Sequence, residues 1–277
     1  MSLIQVNTLP SLSGVATNSR FTLQAPVGRR SYQMVGFDIG GTLTKANVEN
    51  IEVLVAGLPV QQWKSLTELE KVSSYYGYNV DPTAEFTIPF YKRFLTSSSE
   101  AAIFNYGTSD VPTLQIRGDL GTQASLTGLT AYSLETTVAD QNGAPSFNGN
   151  ALGVFEKVRN FTYSAAGAGT LDIDNIPREA FLNALHLFPS SDVITNVEVW
   201  VDNVKVWDAS KARMTEVCTR AGRTVVAGDY HIDFLLNNAL GSQLTLAGTS
   251  DFRLRISHSG TISLTAYAQY LTDFATA

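Results

Sequence analysis

The chain has a single cysteine, Cys218, among its 277 residues. One cysteine cannot form a disulfide within the chain, so a disulfide-stabilised fold is excluded. No apolar run approaches the roughly 18 residues that a membrane-spanning helix needs, so we expect no transmembrane segment. Residues 1–7 do not combine a basic segment with an apolar core, so we also expect no signal peptide. These absences predict a protein that is made and folded in a reducing cytoplasm.

Charge is also scarce. Lys, Arg, Asp and Glu make up 16% of the residues, against about 25% in an average soluble protein. The formal net charge is −6, and the basic residues are scattered except for the pairs at 29–30 and 92–93. Without a basic surface, direct nucleic acid binding is not expected. Low charge with frequent Thr, Ser, Asn and Gly indicates a β-rich protein that uses much of its surface for contacts with other chains.

Signals for catalysis are few. No serine lies in a Gly-x-Ser-x-Gly segment, which argues against a hydrolase triad. The three histidines, His186, His231 and His258, do not have the spacing of a zinc site. His186 and His231 alternate with apolar neighbours, which predicts strands, and His258 falls in a predicted hairpin turn. We therefore expect no catalytic residue and no cofactor.

One segment, Asp38–Lys45, resembles the first phosphate-binding segment of actin-like kinases. In those enzymes an Asp lies near the metal and a Gly-Gly-Thr turn lets backbone N–H groups approach phosphate. However, no second Gly-rich phosphate segment follows, and the chain lacks the alternating strands and helices of a parallel sheet. The favoured interpretation is a strand that ends in a turn at Gly40–Gly41, with the kinase as an alternative.

Oxygen ligands for a metal are concentrated at one place, where Asp172, Asp174 and Asn175 lie close together in the sequence. The segment lacks the glycine and the terminal glutamate of an EF-hand, so a solvated turn is the favoured interpretation. A structural calcium ion stays open as an alternative, and its ligands are unknown. Cys218 lies on the apolar face of a predicted helix and is expected to be a small core residue.

The chain contains an internal repeat. Residues Val48–Val55 resemble Ile194–Val201, so that Asn50 and Asn196 correspond at a spacing of 146 residues. Both segments alternate with the period of a half-buried strand. Further matches follow in the same order, with spacings that fall slowly to 135. They are Trp63 with Trp207, Phe86–Phe90 with Tyr230–Phe234, and the identical tetrapeptides Leu129–Tyr132 and Leu264–Tyr267.

A short helix is predicted after each tryptophan. The first opens with a capping box at Ser65–Glu68 and ends near Gly77. The second can start at Asp208 and ends near Gly222. Each helix has one apolar face, formed by Leu66, Leu69 and Val72 in the first and by Met214, Val217, Cys218 and Ala221 in the second.

The remaining pattern is that of short strands. In the first copy, the predicted strands are Phe21–Ala25, Gln33–Ile39, Asn50–Ala56, Glu85–Tyr91, Thr113–Gly118 and Leu129–Val138. In the second copy, they are Val158–Ser164, Asn183–Phe188, Asn196–Asp202, Tyr230–Leu235, Gln243–Ala247, Phe252–Ser257 and Thr261–Tyr270. Two such copies suit an all-β chain of two tandem eight-stranded barrels, each with a short helix between strands. The predicted domains are residues 1–140 and 153–277, and the turn-rich residues 141–152 form the predicted connector.

The duplicated unit resembles the double jelly-roll major capsid proteins of icosahedral bacteriophages with an internal membrane, of the corticovirus type. The matching segments are Leu9–Pro10, Val48–Gly77, Asp174–Arg178, Val197–Trp207 and Tyr230–Phe234. The resemblance implies two jelly rolls per chain and a structural protein of the virion, synthesised in the host cytoplasm. It also implies pseudo-hexagonal homotrimers that tile a shell over a membrane, with separate vertex and membrane-associated proteins as partners. Members of this class can carry structural calcium. A carbohydrate-binding β-sandwich, which would need an exposed aromatic platform, is the other alternative.

Overall fold

The structure is a computed structural model that describes residues 3–28, 30–78, 85–139, 145–146 and 151–273. The chain forms two compact units. Unit 1 comprises Met1–Ser73, Tyr78–Lys157 and Asp273–Ala277, and unit 2 comprises Ser74–Gly77 and Val158–Thr272. Most of the predicted connector, 141–152, lies outside the described residues; within it, Leu152 donates its backbone N–H to Asp110 Oδ1 at 2.8 Å.

Unit 1 consists of strands and two short helices. Its strands are β1 (Leu3–Thr8), β2 (Ser19–Ala25), β3 (Ser31–Thr42), β4 (Val48–Val55), β5 (Leu58–Ser65), β6 (Glu85–Pro89), β7 (Tyr106–Gly107), β8 (Leu114–Leu120), β9 (Ser125–Ala139) and β10 (Pro145–Ser146). Its helices are α1 (Leu66–Tyr75), whose last two residues belong to unit 2, and α2 (Ser98–Ile103), with a 3-10 turn at Lys45–Asn47.

Unit 2 repeats this plan. Its strands are β11 (Val154–Ala165), which begins in unit 1, β12 (Gly169–Ile173), β13 (Phe181–Pro189), β14 (Ile194–Val201), β15 (Val204–Ser210), β16 (Tyr230–Asp233), β17 (Leu244–Thr245), β18 (Phe252–His258) and β19 (Ile262–Asp273). Its helix is α3 (Lys211–Arg220), and a 3-10 turn covers Leu240–Ser242.

The strand order is the same in both units. In unit 1, one sheet has the order β1-β9-β3-β6 and the other the order β2-β8-β4-β5. In unit 2, the corresponding orders are β11-β19-β13-β16 and β12-β18-β14-β15. Two four-stranded antiparallel sheets in this order form a jelly roll, and a helix follows the fifth strand in each. The predicted fold class is therefore confirmed.

Burial explains why these segments form strands. β8 and β18 alternate strictly between buried and half-buried residues, as expected for strands with one face on the core. The central strand β19 is buried on both faces over most of its length. Tight two-residue turns join β4 to β5 and β14 to β15, and their residues have positive φ: Ala56 (51°), Gly57 (82°), Asp202 (46°) and Asn203 (65°). Such turns match the twist of antiparallel strands.

The helix ends are equivalent in the two units. Ser65 Oγ accepts the Glu68 N–H at 3.3 Å, as predicted, and Ser210 Oγ accepts the Arg213 N–H at 3.3 Å. α3 begins three residues after the predicted start at Asp208, because Asp208 is paired with Glu198 in the β14–β15 ladder. Each helix ends at a glycine with positive φ, which is 75° at Gly77 and 79° at Gly222.

Several strand predictions need correction. The predicted strands do not include β1, β5, β12 and β15 or the two-residue strands β7 and β10, and the predicted strand Gln243–Ala247 is only β17. The tryptophan equivalence is also wrong. Trp63 pairs with Ile51, and the residue of unit 2 at that ladder position is Ala209, which pairs with Val197. Trp63 is 5% exposed, whereas Trp207 is only half-buried, so the two rings do not occupy equivalent positions in the two cores.

Candidate functional site

The kinase-like segment is part of a β-sheet. β3 continues through Gly40 and Gly41 to Thr42 and pairs with β9 along this length, with a bulge between the two glycines. The predicted turn is therefore misplaced. At Gly41, a Cβ atom would lie 2.1 Å from the Ser125 carbonyl oxygen, so this glycine permits a close approach of two strands. Lys45 forms an ion pair with Glu70. The segment is a structural element of the sheet.

The outer face of the β13–β16 pair in unit 2 carries two histidines that the structure brings together. His186 and His231 are directly opposite in the ladder, and their Nδ1 atoms are 2.8 Å apart. His186 Nε2 lies 3.2 Å from Gln269 Oε1, which can only accept. In the neutral pair one Nδ1 donates to the other, and the Tyr76 hydroxyl also lies 3.3 Å from His186 Nε2. Sequence spacing could not reveal this pair, because it depends on the register of the two strands.

A buried ion pair lies beside the histidines. Asp233 Oδ2 accepts from Arg223 Nε at 2.9 Å, and the two side chains are 0% and 2% exposed. Asp233 Oδ1 also accepts the Leu235 N–H at 2.8 Å, while Arg223 Nη2 donates to the Leu235 carbonyl at 3.0 Å. A buried charge pair needs such additional partners, because desolvation offsets much of its attraction.

Two tyrosines cover this face of unit 2. The Tyr75 ring lies 4.1 Å from the His231 ring, and its hydroxyl lies 3.2 Å from Asp233 Oδ2. The Tyr76 hydroxyl donates to Gln269 Oε1 at 2.8 Å. Burial, together with the nearby Asp233 carboxylate, raises the pKa of Tyr75, so its phenol stays protonated and keeps donating. We call His186, His231, Asp233, Arg223 and Gln269 the polar cluster.

Among the described residues of unit 1, the equivalent face has no such cover. Ladder register assigns the equivalents: Met34 to Ala184, Gly36 to His186, Thr87 to His231, Pro89 to Asp233, Tyr132 to Tyr267 and Leu134 to Gln269. A cavity of about 270 Å³ lies on this face. It is lined by Gln33, Met34, Tyr78, Glu85, Thr87, Pro89, Tyr91, Arg93, Tyr132 and Leu134. We call this cavity the hollow.

Apolar surface continues from the hollow to the edge of the sheet. Val6 of β1 pairs with Leu134, so the two side chains lie on the same face. Val6 is 71% exposed and Ile4 is 59% exposed. Two exposed aliphatic side chains therefore lie on the same face of the sheet as the hollow.

The other predicted positions have structural partners. Asp172 accepts two bonds from Arg255, at 2.7 Å and 3.1 Å, and this guanidinium lowers the pKa of Asp172. Asn175 Oδ1 accepts from the Tyr163 hydroxyl at 2.9 Å. No group of three or more His, Cys, Asp or Glu could hold a metal ion in the part of the chain that the structure describes. The calcium ion stays a prediction, without ligands.

The remaining histidine and the cysteine lie close to where they were predicted. His258 is the last residue of β18 rather than part of the turn, and its Nδ1 lies 2.7 Å from the Gly260 carbonyl oxygen. Cys218 is fully buried on α3, as predicted. Burial raises the pKa of its thiol to about 11, which keeps it protonated and unreactive at neutral pH.

Two further observations bear on the alternatives. Among the described aromatic residues, only Phe181 is an exposed side chain, at 39%, so these residues do not form an exposed aromatic platform. Within the same residues, no helix is long and apolar enough to cross a membrane.

Two jelly rolls in one chain define the double jelly-roll architecture, and solved structures of viral capsid proteins share it. The chain is similar to the major capsid protein P2 from bacteriophage PM2, with 20% identity and a TM-score of 0.86 over 98% of both chains. It is also similar to the STIV MCP, with 12% identity and a TM-score of 0.71 over 99% of this chain and 98% of that one. A third similar structure, from the PBCV-1 virus capsid, has 10% identity and a TM-score of 0.67 over 98% and 94%. No curated protein matches by sequence.

Family models identify the chain. The model of the viral coat protein P2 N-terminal domain matches residues 6–140, and that of the C-terminal domain matches residues 155–274. The chain therefore belongs to the viral coat protein P2 family. It is a structural protein of the virion capsid and not an enzyme.

Proposed function

We propose that the chain assembles into homotrimers of pseudo-hexagonal outline, which tile an icosahedral shell over an internal membrane. The observation that carries the proposal is the shared strand order of the two units. Three chains with two equivalent barrels each place six similar lobes around one axis. One gene product can thereby fill the six-fold positions of a lattice.

Surface chemistry supports assembly from many copies. The chain has few charges, and the exposed aliphatic side chains Ile4 and Val6 adjoin the hollow in unit 1. Apolar contact at the centre of an interface with polar residues around it is typical of specific protein contacts. A ring of three chains uses heterologous contacts that close by rotation, so each chain needs two different, complementary surfaces.

The experiment is a measurement of mass and shape on the purified protein. Sedimentation equilibrium should give a species of three times the 30.0 kDa chain, and negative-stain images should show six lobes. A protein that stays monomeric at all concentrations, or that forms two-fold dimers, contradicts the trimer.

The membrane is tested separately on intact particles. We expect that lipid co-purifies with the particle and that the shell encloses a bilayer in sections of a cryo-electron microscopy map. Vertex and membrane-associated proteins should appear as additional bands of lower copy number. A particle without lipid contradicts the internal membrane and leaves the trimer intact.

A further inference from the structure

We propose that the hollow in unit 1 is the docking site for residues 219–222 of a second copy of this chain, which lie at the end of its helix α3. The inference rests on the proposed trimer and adds to it which two surfaces meet.

Unit 2 shows how far the residues of this face are buried when other residues cover them. Ala184, His231, Asp233, Tyr267 and Gln269 are all buried to 1% exposure or less. Their equivalents in unit 1 include Met34, Pro89, Tyr132 and Leu134, which are all half-buried beside an open cavity. Thr87, the equivalent of His231, is also buried, so the difference in burial is confined to the other four positions.

The second step identifies the cover. In unit 2 it is residues 74–77, which place Tyr75 and Tyr76 on the face. These residues end α1 and have a helix-end geometry that occurs again in the chain. Gly77 N–H donates to the Ser74 carbonyl at 3.0 Å and Tyr78 N–H to the Ser73 carbonyl at 3.0 Å.

The same geometry ends α3, 145 residues later. Gly222 N–H donates to the Thr219 carbonyl at 3.0 Å, and Arg223 N–H donates to the Cys218 carbonyl at 3.0 Å. Residues 219–222 are therefore the counterpart of residues 74–77, with Arg220 in the place of Tyr75 and Ala221 in the place of Tyr76. All described residues that line the hollow belong to unit 1. When residues 219–222 of each chain cover the hollow of the next chain, three chains form a closed ring.

The third step is chemical complementarity. Where Tyr76 contacts Gln269 in unit 2, Ala221 would meet Leu134, a contact between two apolar side chains. The side chain of Arg220 is 75% exposed and is paired only with the exposed Glu216 in the described residues. Next to the hollow, Asp38 and Glu85 pair across β3 and β6 and place two carboxylates on the same face. Glu85 already accepts from the Tyr132 hydroxyl and Arg93 also lines the hollow, so a guanidinium from a second chain would add a further donor to this rim.

Cross-linking tests the contact directly. Leu134→Cys and Ala221→Cys are made in separate full-length chains with tags of different size, and the two chains are co-expressed. A short bismaleimide should link the large chain to the small one in the mixture, while each variant alone and the wild type stay unlinked. The wild type is a fair baseline because Cys218 is buried.

Each result of the cross-linking experiment either supports or overturns the docking site. Trimers without the mixed cross-link overturn the docking site and leave the proposed function standing. Linkage of Leu134→Cys chains to one another indicates a two-fold contact and also overturns it. If no trimer forms in any sample, both the docking site and the proposed function fail.

A charge placed in the hollow provides a second measurement. Leu134→Arg should raise the dissociation constant of the trimer about a hundredfold or more, because it buries an unpaired charge at the contact. The matched control is Val206→Arg on β15, at a residue that is 39% exposed and does not line the hollow. Equal effects of the two substitutions, measured by sedimentation, overturn the proposal.

Discussion

Arg223 is expected to be one of the most sensitive residues of unit 2. Arg223→Ala removes the cation and leaves the Asp233 carboxylate buried, with the Leu235 N–H and the Tyr75 hydroxyl as its remaining partners. Breaking a buried ion pair in this way costs about 3–5 kcal/mol. Because two donors remain, we expect a loss near 3 kcal/mol in the free energy of unfolding.

A matched control lies on helix α3, outside the docking segment. Arg213 pairs with Glu216 at 3.0 Å, but the two side chains are 65% and 41% exposed. An exposed pair of this kind contributes about 0.5 kcal/mol, so Arg213→Ala should be nearly neutral. Urea unfolding of both variants and the wild type, at one protein concentration, measures the difference.

A second substitution tests whether the uncompensated charge of Asp233 causes the loss of stability in Arg223→Ala. Asp233→Asn in the Arg223→Ala background removes the uncompensated charge and keeps an acceptor for the Leu235 N–H. The double variant should therefore lose less stability than Arg223→Ala alone. A difference of less than about 1 kcal/mol between Arg223→Ala and Arg213→Ala would show that the buried ion pair does not have this effect.

Three further predictions concern single positions. Trp63→Ala should destabilise unit 1 by about 3–5 kcal/mol, as expected for a buried ring. Trp207→Ala should cost about half as much or less, because that ring is half-buried. Equal losses of stability in thermal unfolding of the two variants would contradict this difference. Gly77→Ala should cost about 1 kcal/mol through its left-handed backbone alone, and an unchanged melting temperature argues against that conformation. Arg20 lowers the pKa of Asp119, so this pair stabilises the fold above the ordinary carboxyl pKa and its contribution is lost as the pH falls through the lowered one. The stability difference between wild type and Asp119→Asn should therefore shrink as the pH is lowered from 6 to 3, and a constant difference contradicts the assignment.

The repeat in the sequence predicted most of the fold. Residues Val48–Val55 and Ile194–Val201 have the bounds of β4 and β14, and both helices end at the predicted glycines. The strands that follow the tight turns were missed for a physical reason. β15 is exposed along most of its length, so the apolar alternation that predicts a strand is weak there.

The candidate site could not be predicted in the same way. His186 and His231 are 45 residues apart, and only the register of β13 and β16 brings their rings together. The hollow is recognised only when the equivalent faces of units 1 and 2 are compared, and the residues of each face come from three strands. In contrast, the apolar face of α3 with Cys218 was predictable, because helical periodicity is a local property of the sequence.

The position of β1 has a consequence for the newly made chain. It is the terminal strand of its sheet among the described residues, and its six residues, Leu3–Thr8, include neither a charge nor a proline. Natural edge strands usually carry such residues, which discourage pairing with unrelated chains. Before it assembles with other subunits, each subunit therefore exposes an unpaired strand edge, so ordered assembly competes with aggregation. Expression at low temperature, where aggregation is slow, should favour ordered particles over inclusion bodies.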